Sequence, residues 1–180
     1  MRWCGGQQLD LAALKKLKPV FKPGGSTTAG NSSQMSDGAA AVLMARRSVA
    51  VARGLTILGT FRSFAVAGVD PAHMGIGPSV AIPAALARAK LGIEQIKLIE
   101  LNEAFASQAL MCCRALGLDQ SRVNVNGGGI ALGHPIGCTG ARCVVTLLHE
   151  MLKQGPECEF GVVSMCIGTG MGAAAVLGRS

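Results

Sequence analysis

Two apolar runs near the C-terminus, Phe160–Met165 and Met171–Leu177, are separated only by Cys166-Ile167-Gly168-Thr169-Gly170. Runs this short, joined by a glycine-bearing turn, read as a hairpin of buried strands. Upstream, strand and helix signals alternate. Leu55 to Val66 reads as a strand, and Asp70 to Pro78 as a loop. Val80 to Lys90 reads as an amphipathic helix, with Ile82 and Leu86 inward and Gly92 as its stop. Ile96 to Leu101 is a short buried strand. Asn102 to Leu116 is the next helix, with Asn102 as N-cap and Glu103 in its first turn. Val123 and Val125 begin another short strand. Thr139 to Lys153 is a helix presenting Val144, Leu147, Leu148 and Met151 to a core. This alternation predicts an α/β layered fold. Ahead of it lie a short helix over Leu9 to Lys18, stopped by Pro19, and a polar loop from Gly24 to Asp37. An apolar run from Gly38 to Ala45 and a helical stretch to Arg53 follow.

Composition narrows the rest. The chain has 180 residues, 49% hydrophobic and 15% charged, which excludes disorder over most of its length and suffices for one domain with an appended segment. With no Tyr, one Trp and five Phe, the core is built from Ala, Val, Leu, Ile and Met. The net charge is +7, but the basic residues are neither clustered on one stripe nor interleaved with aromatics, so no nucleic-acid partner is expected. Lys15, Lys16, Lys18 and Lys22 form the densest group. They fit either a solvated helix face or an anionic, phosphate-bearing small molecule. An odd count of seven cysteines, with no CxxC pair, speaks for a reducing compartment and against a zinc cluster or other metal site. No apolar run reaches membrane-span length, and Met1–Gly6 lacks the apolar stretch of a secretory leader.

Four segments carry residues able to do chemistry, each at a strand end or a strand-to-helix turn, where open α/β sheets place ligands. Asn102-Glu103-Ala104-Phe105-Ala106 follows a buried strand directly. Its asparagine amide can be a plain cap, or can hold a carbonyl or a water. Gly127-Gly128-Gly129 through Gly133-His134-Pro135-Ile136-Gly137-Cys138-Thr139-Gly140 fixes an imidazole on a glycine-rich loop, a setting that suits a general base better than a core histidine. Cys166-Ile167-Gly168-Thr169-Gly170-Met171-Gly172 puts a thiol at a strand end beside backbone N–H groups able to hold an oxyanion. A buried small hydrophobe is the competing reading. A dinucleotide loop is rejected because the spacing is GxGxG rather than GxGxxG. Thr27 to Ser33 is either a surface turn or the lining of a polar ligand.

Taken together, these segments resemble the thiolases. Asn102–Ala106, Gly133-His134-Pro135 with Gly137 and Gly140, and Cys166–Gly172 stand in that family's order and spacing. Thr28–Ser33 and Asp37-Gly38-Ala39-Ala40 also match. The resemblance runs from about Leu11 to the C-terminus. Val163–Gly170 is most similar to the peroxisomal 3-ketoacyl-CoA thiolases of plants and algae.

The resemblance implies a five-stranded mixed sheet with helices on both faces over residues 54–180. Residues 1–37 would be a remnant of a loop region. Residues 38–53 would be an orphan strand and helix of an N-terminal half, and residues 1–53 as a whole would be loosely attached. The implied activity is that of an acetyl-CoA C-acyltransferase of fatty-acid β-oxidation, cleaving a 3-ketoacyl-CoA with a second CoA. By resemblance, His134 activates a nucleophile and, with Asn102 through a water, holds a thioester oxygen. Cys166 protonates the departing enolate, and the Gly168 N–H serves a second oxyanion site. Ser33 touches the pantetheine arm, and Met74 and Phe105 line its tunnel. Coenzyme A is a substrate, and no cofactor is implied. The complete enzyme would be a homodimer or homotetramer, with no membrane partner. The implied compartment is the peroxisome, with mitochondrion and cytoplasm as alternatives, although Gly178-Arg179-Ser180 is not the Ser-Lys-Leu address. The family's nucleophilic cysteine sits in a Cys-Ser/Ala-Ser-Gly setting that none of the seven cysteines has. Alone, the chain is therefore expected to be inactive, as a fragment, a truncated product or one part of a split enzyme opened by an unmatched Met1–Gln8. The alternative is a non-catalytic product keeping CoA-pocket residues or the pairing surface.

Overall fold

The computed structural model describes residues 10–180, so Cys4 and the whole Met1–Gln8 opening lie outside the described residues. In chain order the helices and strands are α1 (Leu11–Lys15), α2 (Arg47–Ala52), β1 (Thr60–Gly68), α3 (Gly77–Ala89), β2 (Ile96–Leu101), α4 (Ala106–Ala115), α5 (Gly129–Leu132), α6 (Thr139–Gln154), β3 (Phe160–Ile167) and β4 (Met171–Gly178). The strands form one sheet in the order β1-β4-β3-β2. The C-terminal hairpin lies at its centre: β4 pairs antiparallel with both β1 and β3, and β3 pairs parallel with β2.

Each face of the sheet is covered by one main helix, as the alternation of apolar residues requires. On one face, Ile82 and Leu86 of α3 pack with Ile99, Leu101, Val162 and Val176, and Cys112 of α4 closes the same core. On the other, Leu147, Leu148 and Met151 of α6 pack on Leu98, Val163 and Leu177. The start of α3 crosses β4 so closely that a side chain on Gly172 would overlap the Gly77 backbone. Small residues, not large ones, therefore set the layer spacing here.

Three expectations are corrected. The described sheet has four strands, not five. Val123 makes a single parallel bridge to Ile99, and there the ladder stops. The next residue, Asn124, takes a left-handed backbone at φ +49°. Its carboxamide replaces the missing strand, accepting from Leu101 N at 2.9 Å and donating to Leu101 O at 2.7 Å. Second, Asn102 is not a helix cap. Its N–H continues the β2–β3 ladder by donating to Ser164 O at 2.9 Å, and α4 begins only at Ala106, behind Phe105. Third, the early segment is not uniformly loose. Ser33 N donates to Ala104 O and His134 N to Gln34 O, both at 2.9 Å, which ties Ser32–Met35 along the two loops that carry Phe105 and His134. By contrast, Gly38–Ala45 pairs with no described strand, and Leu43 and Met44 are exposed.

Candidate active site

Asn102 and His134 reach each other from opposite directions. Asn102 is the residue that follows β2, and almost nothing of it is exposed. His134 follows Gly133, which takes φ +102° and stands so close to Ser36 that a side chain there would collide with it. The loop is thereby turned inward, and Asn102 Nδ2 lies 3.2 Å from His134 Nε2. The other ring nitrogen, Nδ1, lies 2.7 Å from Thr139 Oγ1, and that hydroxyl donates to Pro135 O at 2.9 Å. Asn102 Oδ1 is buried with no partner. A buried orphan acceptor is costly in a finished core, and here it is free to take a donor from a water or a ligand.

The loop bearing His134 is tied to the end of β2 by Glu103. One carboxylate oxygen accepts from Asn124 Nδ2 at 2.8 Å and the other from Ile130 N at 3.2 Å. Glu103 therefore serves a local network, and not the first turn of a helix from Asn102, since α4 begins at Ala106. Beneath lies a buried ion pair, with Arg142 Nη1 donating to Glu100 Oε2 at 2.8 Å. Burial pushes the Glu100 carboxyl up to about 7 despite the pull of Arg142. Burial, and secondly the Arg142 charge, hold His134 below the usual imidazole value. The ring is thus kept neutral near pH 7, as a base must be.

Cys166 stands near the end of β3, two residues beyond Ser164, whose carbonyl receives the Asn102 N–H. Cys166 is half-buried, and burial raises its thiol. It makes no hydrogen bond to His134 or Asn102. Gly168 opens the turn to β4 and has open space where a side chain would be, while Thr169 and Gly170 carry positive φ values of +72° and +94°. Ser33 and Phe105 are brought together by the backbone pairing of Ser32 with Phe105 and of Ser33 with Ala104. Phe21 meets Phe105 edge to face, with centroids 5.9 Å apart. Met74 lies in a 3₁₀ turn, Pro71–Ile76, held to α4 where Cys112 Sγ donates to Gly75 O at 3.6 Å. The structure thus joins Asn102 to His134 and Ser33 to Phe105, and leaves Cys166, Gly168 and Met74 as separate walls.

Thr139, Glu103, Arg142 and Asn124 hold the site in place. The spacing of Pro135 and Thr139, four apart at a helix start, was the only sequence signal for the hydroxyl's placement. None of the other described cysteines is an activated nucleophile. Burial raises Cys112, Cys113 and Cys158, and takes Cys143 up to about 12, while Cys138 is buried.

A family model described as "Thiolase, C-terminal domain" matches residues 55–179, and one described as "Thiolase, N-terminal domain" matches residues 6–48. The second match begins inside the opening expected to be unmatched. Among curated relatives, the peroxisomal 3-ketoacyl-CoA thiolase 2 of Arabidopsis thaliana is 67% identical over 169 residues, covering 94% of this chain and 37% of the relative. The peroxisomal 3-ketoacyl-CoA thiolase B of Rattus norvegicus is 66% identical over 166 residues, covering 92% of this chain and 39% of the relative. The chain thus spans less than two fifths of these relatives. Among solved structures, the dimeric peroxisomal thiolase of Saccharomyces cerevisiae superposes with a TM-score of 0.91 at 51% identity, covering 97% of this chain and 44% of that one. The human mitochondrial 3-ketoacyl-CoA thiolase in complex with CoA gives 0.89 at 44% identity, covering 96% and 43%.

Proposed function

Since this chain belongs to the thiolase family, we propose that it supplies the acid–base half of a 3-ketoacyl-CoA thiolase active site. The observation that carries this reading is the Asn102–His134–Thr139 chain, a neutral imidazole with a buried acceptor beside it. Each step then has an assigned residue. His134 Nε2 takes the proton of a cysteine thiol supplied by a segment outside the matched region. The thiolate adds to the keto carbon of a 3-ketoacyl-CoA, and the bond between that carbon and the next breaks. Acetyl-CoA leaves as an enolate, and Cys166 gives its proton to the enolate carbon. The Cys166 thiolate then takes the proton of an incoming CoA thiol, and the CoA sulfur displaces the acyl group. His134 returns its proton to the departing cysteine. A raised Cys166 thiol suits the first of its two roles, since it holds the proton until the enolate forms.

His134 and Asn102, through a water on the orphan Oδ1 or directly from Nδ2, would hold the thioester oxygen. Gly168 N–H, in open space at its turn, would serve the second oxyanion. Ser33, Phe105 and Met74 would flank the pantetheine arm. The dimeric yeast relative supports a dimer as the working state, and the peroxisomal relatives support the peroxisome as its compartment.

The test is complementation. The chain alone should not cleave acetoacetyl-CoA, because without a nucleophile no thioester intermediate forms. Mixed with the N-terminal segment of the Arabidopsis relative, it should give CoA-dependent cleavage. Turnover by the pure chain at ~1 per second or more would overturn the division of labour. If the mixture formed a stable complex that bound CoA without turnover, the non-catalytic reading would replace it.

A further inference from the structure

We propose that Thr139 is a positioning residue that locks His134 in the tautomer with its proton on Nδ1. The Thr139 hydroxyl is fully buried at the first position of α6. It has two partners, Pro135 O at 2.9 Å and His134 Nδ1 at 2.7 Å. A carbonyl oxygen only accepts, and a hydroxyl has one proton to give. In the proposed arrangement that proton goes to Pro135 O, which also accepts from Cys138 N at 2.7 Å and Thr139 N at 2.9 Å. Only lone pairs remain for the ring, so Nδ1 must bring a hydrogen of its own. In a neutral imidazole this leaves the lone pair on Nε2.

The far side of the ring is compatible with the same tautomer. Asn102 Nδ2, which can only donate, faces Nε2 at 3.2 Å. Thr139 therefore sets the tautomer, and the carboxamide of Asn102, which can present either its nitrogen or its oxygen to the ring, follows it. Free histidine favours the other one, with the proton on Nε2, so the preference has to be imposed. Loss of the Thr139 hydroxyl removes the imposition. Asn102 would then turn its carboxamide, and Oδ1, now without a partner, would accept from Nε2–H. The lone pair would face into the protein and away from any reacting thiol.

This inference rests on the reading of His134 as the base, but it is read out without turnover. The probe is the full chain with its three histidines labelled with nitrogen-15 in the ring. His73→Gln and His149→Gln identify the His134 signals. Long-range proton–nitrogen spectra give the tautomer directly, and magic-angle-spinning spectra of sedimented protein serve if the chain associates. The unsubstituted chain should show protonated Nδ1 and unprotonated Nε2 in the neutral form. Thr139→Val should reverse the pattern, and Thr139→Ser should keep it. An Nε2-protonated ring in the unsubstituted chain overturns the proposal, and that result needs no variant to fold. An unchanged Nδ1-protonated ring in folded Thr139→Val overturns it as well. Failed complementation with the expected tautomer would reject the thiolase reading and leave the positioning intact.

Discussion

Two regions meet at the strand ends, and they are built to different degrees. Around His134, each ring nitrogen has a partner, and the loop is tied to β2 through Glu103. Around Cys166 and Gly168, the thiol makes no hydrogen bond to His134 or Asn102, and space lies open at Gly168. On the proposed reading, the first region is a base whose orientation is fixed before any substrate arrives, as acid–base chemistry needs. The second is a wall awaiting something opposite it. The difference teaches that one side of the candidate site is held by hydrogen bonds within this chain, while the other is left open.

The largest effect should come from breaking the finished region. In the complemented enzyme, His134→Ala should lower kcat on the order of 100-fold or more, because it removes both a base and an oxyanion donor. Steady-state rates measure this, and a loss below about 10-fold would return His134 to a structural role. Cys166→Ala should be milder in one half of the reaction and severe in the other. Rapid-quench measurement should find acyl transfer to the nucleophile partly intact but enolate protonation and the second thiolysis blocked. An unchanged full cycle would make Cys166 a core thiol.

A smaller effect sharpens the contrast through pH. Glu100 has its carboxyl raised from 4.5 to about 7, so between those values the folded chain holds a proton that the unfolded chain has released. Its contribution therefore falls as pH rises through that window, by about 3 kcal/mol at most. His134 is lowered, so its contribution has the opposite sign and is lost as pH falls below its ordinary value. Denaturant titrations at several pH values should show Glu100→Gln removing the decline between 4.5 and about 7 and leaving the His134 slope. A decline that survived Glu100→Gln would mean that another group carries it.

What could be read from the sequence follows the range of the forces involved. β2 was legible as Ile96–Leu101, and the central hairpin from its two apolar runs, because burial repeats over neighbouring residues. The start of α6 at Thr139 was legible for the same reason. The helix expected from Asn102 was not, because the asparagine that caps helices in isolation is claimed here by Ser164 and His134, both distant in sequence. The fifth strand failed at Asn124 for a like reason: one side chain reaching across to Leu101 does the pairing that a run of residues was expected to do. At the site, the imidazole, the thiol and the carboxamide were legible as residue types on glycine-rich turns. The supports were not. Thr139 reads as an ordinary first helical residue until the Pro135 turn closes and brings His134 over its hydroxyl.

The central proposal is that this chain supplies the base, His134, and that none of its described cysteines is the nucleophile. Intact-mass spectrometry after mixing acetoacetyl-CoA with the complemented enzyme, without free CoA, tests it most directly. The account predicts one acetyl group on the added N-terminal segment and none on this chain. Stoichiometric acetylation of any of this chain's seven cysteines would contradict it.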